Sequence, residues 1–330
     1  MKYEQAKQTP IRKTRANRLT LVKTTGEVPD EANYGKVCSI VGNKVIVETT
    51  DKKEYECVLT GTVISDNSNL ANIIAAGDNV WFLLEENSLG SIVKVENRET
   101  FFSRKDPSNT NKEQILAANI DNVVIFFAAD EPLFNPKLVD RFLIAATLGE
   151  VKPILCVNKI DLIEDDSYIY DYLEIYKNNG IEVFTISVLE NKGIELIKKC
   201  LVGAENLITG PSGAGKSSFL NLILGYEAQM VREISYRTNK GMHTTSFSRR
   251  YVLDNQTAII DTPGLREFGL WDMQKEDFRL FFPDFIKYLN KCRFPSCTHT
   301  HEPDCAVKEA VESNEVDYER YESYISLLED

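Results

Sequence analysis

The chain has 330 residues, of which 43% are apolar and 27% charged, a composition ordinary for a globular protein of two or three domains. It contains no apolar run long enough to span a bilayer and no signal-peptide pattern, so we expect a cytoplasmic protein with no membrane partner. A net charge of −12 argues against a chain that binds polyanions over its whole surface, and the seven cysteines favour a reducing compartment over a disulfide framework.

Residues 1–30 form a predicted arm without periodic apolar positions. Residues 1–25 carry seven basic side chains and one acidic side chain, Glu4. Such an arm either contacts nucleic acid locally or is a disordered, solvated segment, and the sequence leaves both interpretations open.

Residues 31–100 contain short β runs separated by turn residues such as Gly42-Asn43 and Ala76-Gly77-Asp78. The predicted strands are residues 36–40, 44–49, 55–59, 78–84 and 91–96. Roughly five short strands in a segment of this size predict an N-terminal OB-fold β-barrel. Because OB barrels often bind oligonucleotides, this fold favours an RNA contact for the neighbouring arm, although fold alone does not establish one.

Residues 101–285 are predicted to form an α/β domain, whose first residues belong to a predicted polar linker over residues 99–114. The predicted strands are residues 123–127, 154–157, 183–186, 207–208, 251–253 and 258–260. The predicted helices are residues 136–148, 168–177, 194–201 and 218–224. Continuous apolar strands that alternate with helices indicate a parallel sheet with helices on both faces.

A phosphate-binding motif lies in this domain, where residues 210–217 fit the P-loop pattern G-x-x-x-x-G-K-[ST]. A glycine-rich turn with a lysine is the alternative, but a strand before the loop and a helix after it favour the P-loop. Lys216 is expected to contact the β- and γ-phosphates and Ser217 to bind Mg²⁺. The candidate nucleotide-binding residues of the loop are Gly210, Pro211, Ser212, Gly213, Ala214, Gly215, Lys216, Ser217 and Ser218.

A guanine-recognition motif, Asn158-Lys159-Ile160-Asp161, follows a predicted strand and has the N-K-x-D pattern of GTPases. The Asp161 carboxylate can accept two hydrogen bonds from guanine that adenine cannot donate. Lys159 is expected to pack along the base, and Asn158 to tie this loop to the P-loop. Ser187 occupies the place of the second base-contacting loop, while Val188 departs from the usual alanine.

The segment Asp261-Thr262-Pro263-Gly264 matches the D-x-x-G element, whose aspartate orders the Mg²⁺ shell and whose glycine faces the γ-phosphate. Between it and the P-loop, Thr244 and Thr245 lie in a candidate switch segment, so that Ser217, Thr245 and Asp261 are the expected Mg²⁺ ligands. Here N-K-x-D and the base loop precede the P-loop, and D-x-x-G comes last. This order predicts a circularly permuted GTPase domain in which nucleotide state can be transmitted to the C-terminal domain.

The C-terminal residues 286–330 combine a cysteine–histidine cluster with a predicted helical segment, residues 306–328. Three thiols (Cys292, Cys297 and Cys305) and one imidazole would fill a tetrahedral zinc site completely, which predicts one structural Zn²⁺. His299 and His301 are rival ligands. Unligated buried thiols are the alternative to a metal site.

With these motifs in place, the chain resembles the ribosome small-subunit-dependent GTPase A family of bacterial circularly permuted GTPases. The resemblance covers roughly residues 30–330 and includes the motifs above together with 117–121, 138–141 and 241–245. It implies an OB barrel, a permuted GTPase domain and a C-terminal zinc domain with His299 as the zinc ligand. It also implies GTP hydrolysis with GTP/GDP and Mg²⁺, and late assembly of the small ribosomal subunit through contact with its rRNA.

Turnover is expected to be slow without a partner, because Leu265 stands where Ras-like enzymes keep a water-orienting glutamine. By resemblance His243 is the candidate that orients water, with Lys216 and Thr245 as the other catalytic candidates; the alternative is that His243 only packs within the switch. Two rival functions are an ATP-dependent small-molecule kinase, which has no use for Asn158–Asp161, and a non-catalytic RNA-binding scaffold. We expect a monomer.

Overall fold

A computed structural model describes residues 22–24, 28–60, 63–65, 69–85, 89–225, 248–262, 264–265 and 268–329. The described strands are β1 (Val22–Thr24), β2 (Asn33–Val41), β3 (Lys44–Thr49), β4 (Glu54–Leu59), β5 (Val63–Ser65), β6 (Asn79–Leu84), β7 (Gly90–Val95), β8 (Phe101–Lys105), β9 (Glu113–Ala118), β10 (Asn122–Ala128), β11 (Lys152–Asn158), β12 (Glu182–Thr185), β13 (Glu205–Thr209), β14 (Arg249–Val252) and β15 (Ala258–Asp261). The described α-helices are α1 (Pro136–Leu148), α2 (Ile169–Asn178), α3 (Ile194–Leu201), α4 (Lys216–Leu224), α5 (Pro283–Ile286), α6 (Ala306–Glu312) and α7 (Tyr318–Glu329), with 3₁₀ helices at Ile160–Leu162 and Lys275–Phe281.

Five strands form a closed barrel in the order β2-β3-β4-β7-β6, with β6 pairing back onto β2. All of its pairings are antiparallel except β4 with β7, which is the arrangement of an OB-like barrel. Alternate residues of these strands, such as Val45 and Val47, point into a core that also contains Phe82 and Ile92. The OB-fold prediction is confirmed.

The predicted basic arm lies mostly outside the described residues. Within it, β1 pairs antiparallel with β5 as a separate two-stranded sheet.

The predicted linker over residues 99–114 is wrong, because β8 and β9 form an antiparallel hairpin there. The buried Glu113 carboxylate accepts a hydrogen bond from the Ser103 hydroxyl across the two strands at 2.6 Å. Asn72 also holds β9 in place, since its side chain accepts from the Ile115 amide and donates to the Ile115 carbonyl, each at 2.9 Å. These long-range contacts order a stretch whose polar composition by itself is typical of a loop.

The central sheet has the order β12-β11-β10-β13-β15-β14, and its first five strands are parallel as predicted. Strand β14 runs antiparallel to β15, because the five residues between them are too few for a parallel crossover. The strand β10 is buried on both faces: Val123, Ile125 and Phe127 join one core cluster, and Val124 and Phe126 join another. The helices therefore cover both faces of the sheet, as the continuous apolar runs predict.

The barrel and the central sheet meet where β2 pairs with β14, at Ser39 and Arg249. The neighbouring Arg250 is largely buried and donates two hydrogen bonds to Glu205 of β13, at 2.9 and 2.7 Å. Glu205 also accepts one from Lys36 of β2 at 2.9 Å, and Arg250 reaches Glu48 of β3 at 3.3 Å. Four alternating charges thus join the two parts of the molecule.

The C-terminal region packs its own core of aromatic side chains, including Phe282, Phe285 and Tyr324. The helical segment predicted over residues 306–328 is confirmed and consists of two helices, α6 and α7. The chain turns between them, where Asn314 adopts a left-handed conformation with φ of 57°. Among the described residues, no helix is both long and apolar enough to cross a membrane.

Candidate nucleotide site and metal cluster

The glycine-rich part of the P-loop, residues 210–215, connects β13 to the nine-residue helix α4, which begins with Lys216. Gly210, Gly213 and Gly215 have φ angles of 143°, 84° and 96°, which favour glycine. A Cβ on Gly210 would lie 2.1 Å from the Phe126 carbonyl oxygen, and one on Gly215 would lie 2.3 Å from Asn158 Nδ2. The glycines therefore let the loop pass against β10 and the N-K-x-D motif, and the helix N-terminus that follows suits an anion.

The Lys216 side chain turns back into the loop that precedes it. Its ammonium donates to the carbonyl oxygens of Gly210 at 2.8 Å and Pro211 at 2.6 Å, and the residue is 6% exposed. Ser217 is half-buried beside it, while Ser212 and Ser218 are exposed and Ala214 is buried. The lysine is thus held next to the loop by two neutral oxygens, which a phosphate could replace with charged ones.

Asn158, at the end of β11, links the P-loop to the second base loop. Its buried amide donates to the Ala214 carbonyl at 2.9 Å and accepts from the Val188 amide at 3.0 Å. Because Val188 contributes a backbone N–H, its departure from alanine leaves this contact intact. Ser187 is fully buried, and its hydroxyl accepts from the Glu190 amide at 3.0 Å, which shapes the turn.

Asp161 lies in the 3₁₀ turn after β11 with a buried carboxylate oxygen, Oδ1, that has no hydrogen-bond partner among the described residues. A buried acceptor without a donor is costly in a folded protein and marks a place where a ligand can supply one. Lys159, two residues before Asp161, has a left-handed backbone conformation, and the Lys159 ammonium donates a hydrogen bond to the Glu131 carbonyl.

The D-x-x-G segment follows β15 and lies directly on the P-loop. Asp261 is buried at the strand end, and the Thr262 hydroxyl donates to the Ile208 carbonyl at 3.0 Å. A Cβ on Gly264 would lie 2.9 Å from the Cα of Ser212, and the Leu265 amide donates to the Gly210 carbonyl at 3.1 Å. The sheet therefore brings the P-loop, N-K-x-D, the base loop and D-x-x-G to one edge.

The predicted site residues His243, Thr244 and Thr245 lie outside the described residues, and so does Pro263 of the D-x-x-G segment.

The turn after β10 is a part of this edge that the sequence analysis missed. The Glu131 carbonyl accepts from Lys159, and a Cβ on Gly213 would lie 3.3 Å from Pro132 Cδ. Its position in the sequence could have indicated it, because the turn directly follows a parallel strand, and ligands of such sheets bind at the carboxyl ends of the strands.

The C-terminal cluster brings Cys292, Cys297, His299 and Cys305 together, with their ligand atoms within 4.8 Å of one another. His299 Nδ1 lies 3.3 Å from Cys305 Sγ and 3.6 Å from Cys292 Sγ, and these two sulfurs are 4.0 Å apart. Ligand atoms on one tetrahedral zinc ion are about 3.5 to 3.8 Å apart, given Zn–S and Zn–N bonds of about 2.3 and 2.0 Å. The four residues fit a structural zinc ion.

Burial distinguishes the two rival histidines. His299 is fully buried, and this burial together with Arg279 lowers its pKa to about 4, so that the imidazole is neutral, as a metal ligand must be. His301 is exposed and its ring contacts the Thr300 hydroxyl at 2.9 Å. Burial also raises the pKa of Cys297 to about 12, so a thiolate at this position would need a nearby cation.

Comparison with known proteins identifies the family. The family model described as RsgA GTPase matches residues 95–271. A Chlorobaculum parvum protein named small ribosomal subunit biogenesis GTPase RsgA is 38% identical over 308 residues, which cover 91% of this chain and 98% of the relative. This chain belongs to the RsgA GTPase family. A Bacteroides thetaiotaomicron relative, named small ribosomal subunit biogenesis GTPase RsgA 2, is 36% identical and covers 90% of this chain and 96% of its own length.

Solved structures agree with this RsgA GTPase fold. YjeQ from Thermotoga maritima matches with a TM-score of 0.67 and 28% identity over 90% of this chain and 97% of its own. YloQ, described as a circularly permuted GTPase, matches with a TM-score of 0.65 and 25% identity over 92% and 96% of the two chains. The predicted permutation is confirmed, and it explains why the P-loop strand β13 lies between β10, which precedes it in the chain, and β15, which follows it.

Proposed function

We propose that this RsgA-family protein is a Mg²⁺-dependent GTP hydrolase that binds the small ribosomal subunit and assists its late assembly. The observation that carries the guanine part is the buried, unpartnered carboxylate oxygen of Asp161 beside a P-loop. The ribosomal part rests on the names of relatives such as the Chlorobaculum parvum protein. A small-molecule kinase would gain nothing from a buried acceptor of this kind.

The nucleotide would lie across the edge that the described motifs form. Asp161 would accept two hydrogen bonds from guanine, with Lys159 along the base and Ser187 at its second loop, as Asn158 keeps the loops together. The P-loop amides, residues 210–218, would surround the phosphates. Lys216 would exchange its two carbonyl partners for phosphate oxygens, which are stronger acceptors because they are charged.

Magnesium would be held by Ser217, Asp261 and Thr245, and when bound it neutralises charge on the β- and γ-phosphates. Gly264 would present its amide to the γ-phosphate, and Thr244 would contact the nucleotide from the switch segment. The roles of Thr244 and Thr245 rest on the resemblance.

Turnover is proposed to depend on the partner. The Leu265 side chain is buried in the core, so it cannot orient an attacking water. His243 would take that role when the small subunit is bound. Slow turnover of the protein alone is the consequence.

The other parts would support this assembly role in the cytoplasm. The basic arm (residues 1–30) and OB barrel (31–100) would contact rRNA, next to the GTPase domain (101–285). The C-terminal domain (286–330) would be stabilised by one zinc ion on Cys292, Cys297, His299 and Cys305. We propose that the protein acts as a monomer.

The test is GTP hydrolysis by the purified protein, alone and with purified small ribosomal subunits. Large subunits and ATP serve as controls. A large, GTP-specific stimulation by small subunits is expected. Bound GTP without stimulated turnover would instead support a scaffold whose nucleotide is structural, and equal use of ATP would refute the guanine assignment.

A further inference from the structure

Leu265 and Phe268, which follow the D-x-x-G motif, are packed between the P-loop and the β8–β9 hairpin. Gly264 lies against Ser212, and Leu265, which is 4% exposed, donates its amide hydrogen to Gly210. Three residues further on, Phe268 is 3% exposed and belongs to the same core cluster as Leu265. The D-x-x-G glycine is therefore followed closely by two buried side chains.

Phe268 is held by two other aromatic rings. Its ring stacks on Phe142 of α1 with centroids 4.2 Å apart and an angle of 16° between the planes, and on Phe102 of β8 at 5.6 Å and 28°. Phe102 and Phe142 also stack on each other at 6.1 Å. Near-parallel rings at these distances form a directional contact, which fixes where Phe268 lies more closely than an aliphatic pocket would.

The hairpin contributes a backbone contact as well. The Lys105 amide donates to the Gly269 carbonyl at 2.8 Å, next to the Phe102–Phe268 contact. The hairpin itself is fixed on its far side, where Glu113 exchanges backbone hydrogen bonds of 2.7 Å with Asn69 and Ala71. Phe102 thus belongs to a supported strand.

We propose that Phe102 and Phe268 are positioning residues for GTP hydrolysis, which hold the backbone of Gly264 at the γ-phosphate side of the P-loop. The inference rests on the proposed function of this site, because it assigns the γ-phosphate to Gly264. Neither aromatic ring contacts the reacting atoms. Their effect reaches Gly264 because Phe268 follows it by four positions in the chain and shares a core cluster with Leu265, whose amide donates to Gly210.

The physical reason lies in the geometry that the reaction demands. A backbone donor stabilises developing charge only at hydrogen-bond distance, and a displacement of about 1 Å can lower a rate by up to about a hundredfold. GDP has no γ-phosphate, so it makes no contact that requires the Gly264 amide. The two nucleotides therefore separate a positioning effect from a general loss of folding.

The test compares Phe268→Leu and Phe102→Leu with the full-length wild-type protein. Phe82→Leu is the matched control, since Phe82 is fully buried in the barrel core and contacts Tyr55 rather than the three-ring stack. Measurements are kcat and KM for GTP without any partner, and the Kd values for GDP and for a non-hydrolysable GTP analogue. We expect kcat to fall about tenfold or more in both test variants. Their affinity for the analogue should weaken severalfold, while GDP affinity stays within about twofold of wild type.

Two outcomes would overturn the inference. One is that Phe268→Leu and Phe102→Leu retain the kcat and the analogue-to-GDP affinity ratio of Phe82→Leu. The other is that GDP and the analogue lose affinity in parallel, which would indicate general loosening of the fold. If the wild-type protein hydrolyses no GTP even with small ribosomal subunits, the proposed function fails, and the affinity ratio still decides whether the rings position Gly264.

Discussion

Arg320 of α7 donates a hydrogen bond to the Asp140 carboxylate of α1, and neither side chain is more than 5% exposed. The second carboxylate oxygen of Asp140 accepts from the Ser323 hydroxyl, and Arg320 also reaches Asp284 at 3.1 Å. The ion pair joins residues 180 positions apart and docks the last helix on the central α/β domain. Because both charges are desolvated, each depends on the other for compensation.

Replacing Asp140 with Ala should destabilise the protein by about 3 kcal/mol, because Arg320 keeps its buried charge with one carboxylate instead of two. Urea unfolding at pH 7 measures the change. The control is Glu174→Ala, which removes an exposed ion pair within α2; the Glu174 side chain is 62% exposed and that of its partner Lys177 is 46% exposed. That variant should lose about 0.5 kcal/mol or less. Equal losses in the two variants would contradict the role given to the buried pair.

This ion pair shows what the sequence could and could not predict about the fold. Both ends of helix α1 could be predicted. Asn135 caps its N-terminus, Pro136 is its first residue, and its apolar positions recur at helical spacing. Asp140 was recognised only as part of a family motif, and no local pattern indicates a partner in α7. The β8–β9 hairpin was missed for the same reason, since Asn72 and the Glu113–Ser103 contact fix it from a distance.

Asp161→Asn should weaken GTP binding by about 3 kcal/mol, or roughly a hundredfold in Kd, because an amide NH₂ would face the donors of guanine. Xanthosine triphosphate, which has an oxygen in place of the 2-amino group, should bind the variant more tightly than GTP does. Competition against a fluorescent GDP measures both affinities. Asp165→Asn, a change at an exposed carboxylate four residues along, is the control and should keep the preference for GTP. An unchanged preference in Asp161→Asn would remove Asp161 from base recognition.

The nucleotide edge was more predictable than the fold around it. The conformations of Gly210, Gly213 and Gly215 are local requirements, so their spacing in the sequence already defines the loop. The position of Lys216 on two carbonyl oxygens and the stacking of Phe268 on Phe142 depend on elements distant in sequence. Those details require the tertiary structure.

Zinc content should depend on His299 and be independent of His301. The His299→Ala variant removes one of four converging ligand atoms, so it should lose most of its bound metal and unfold more readily in its C-terminal region. His301→Ala is the matched control and should keep about one zinc ion per chain, because that ring is exposed and outside the cluster. Metal analysis of both purified proteins is the measurement. Full zinc content in His299→Ala would show that the cluster uses another ligand.

The charge network between barrel and central sheet should make stability depend on pH through Glu205. Burial alone would raise the pKa of Glu205, but Arg250 and Lys36 hold it below its ordinary value of 4.5. A lowered pKa in the folded state stabilises the protein above pH 4.5, and this contribution is lost as the pH falls through the folded-state pKa. Glu205→Gln should therefore cost about 2 kcal/mol at pH 7, and its deficit relative to wild type should shrink below pH 4.5. Urea unfolding over this range measures the difference.

Glu195→Gln, at a carboxylate that is 78% exposed beside Lys198, is the control and should change stability by less than about 0.5 kcal/mol. A Glu205→Gln deficit that stays constant as the pH falls would show that the loss comes from packing rather than from the carboxylate charge.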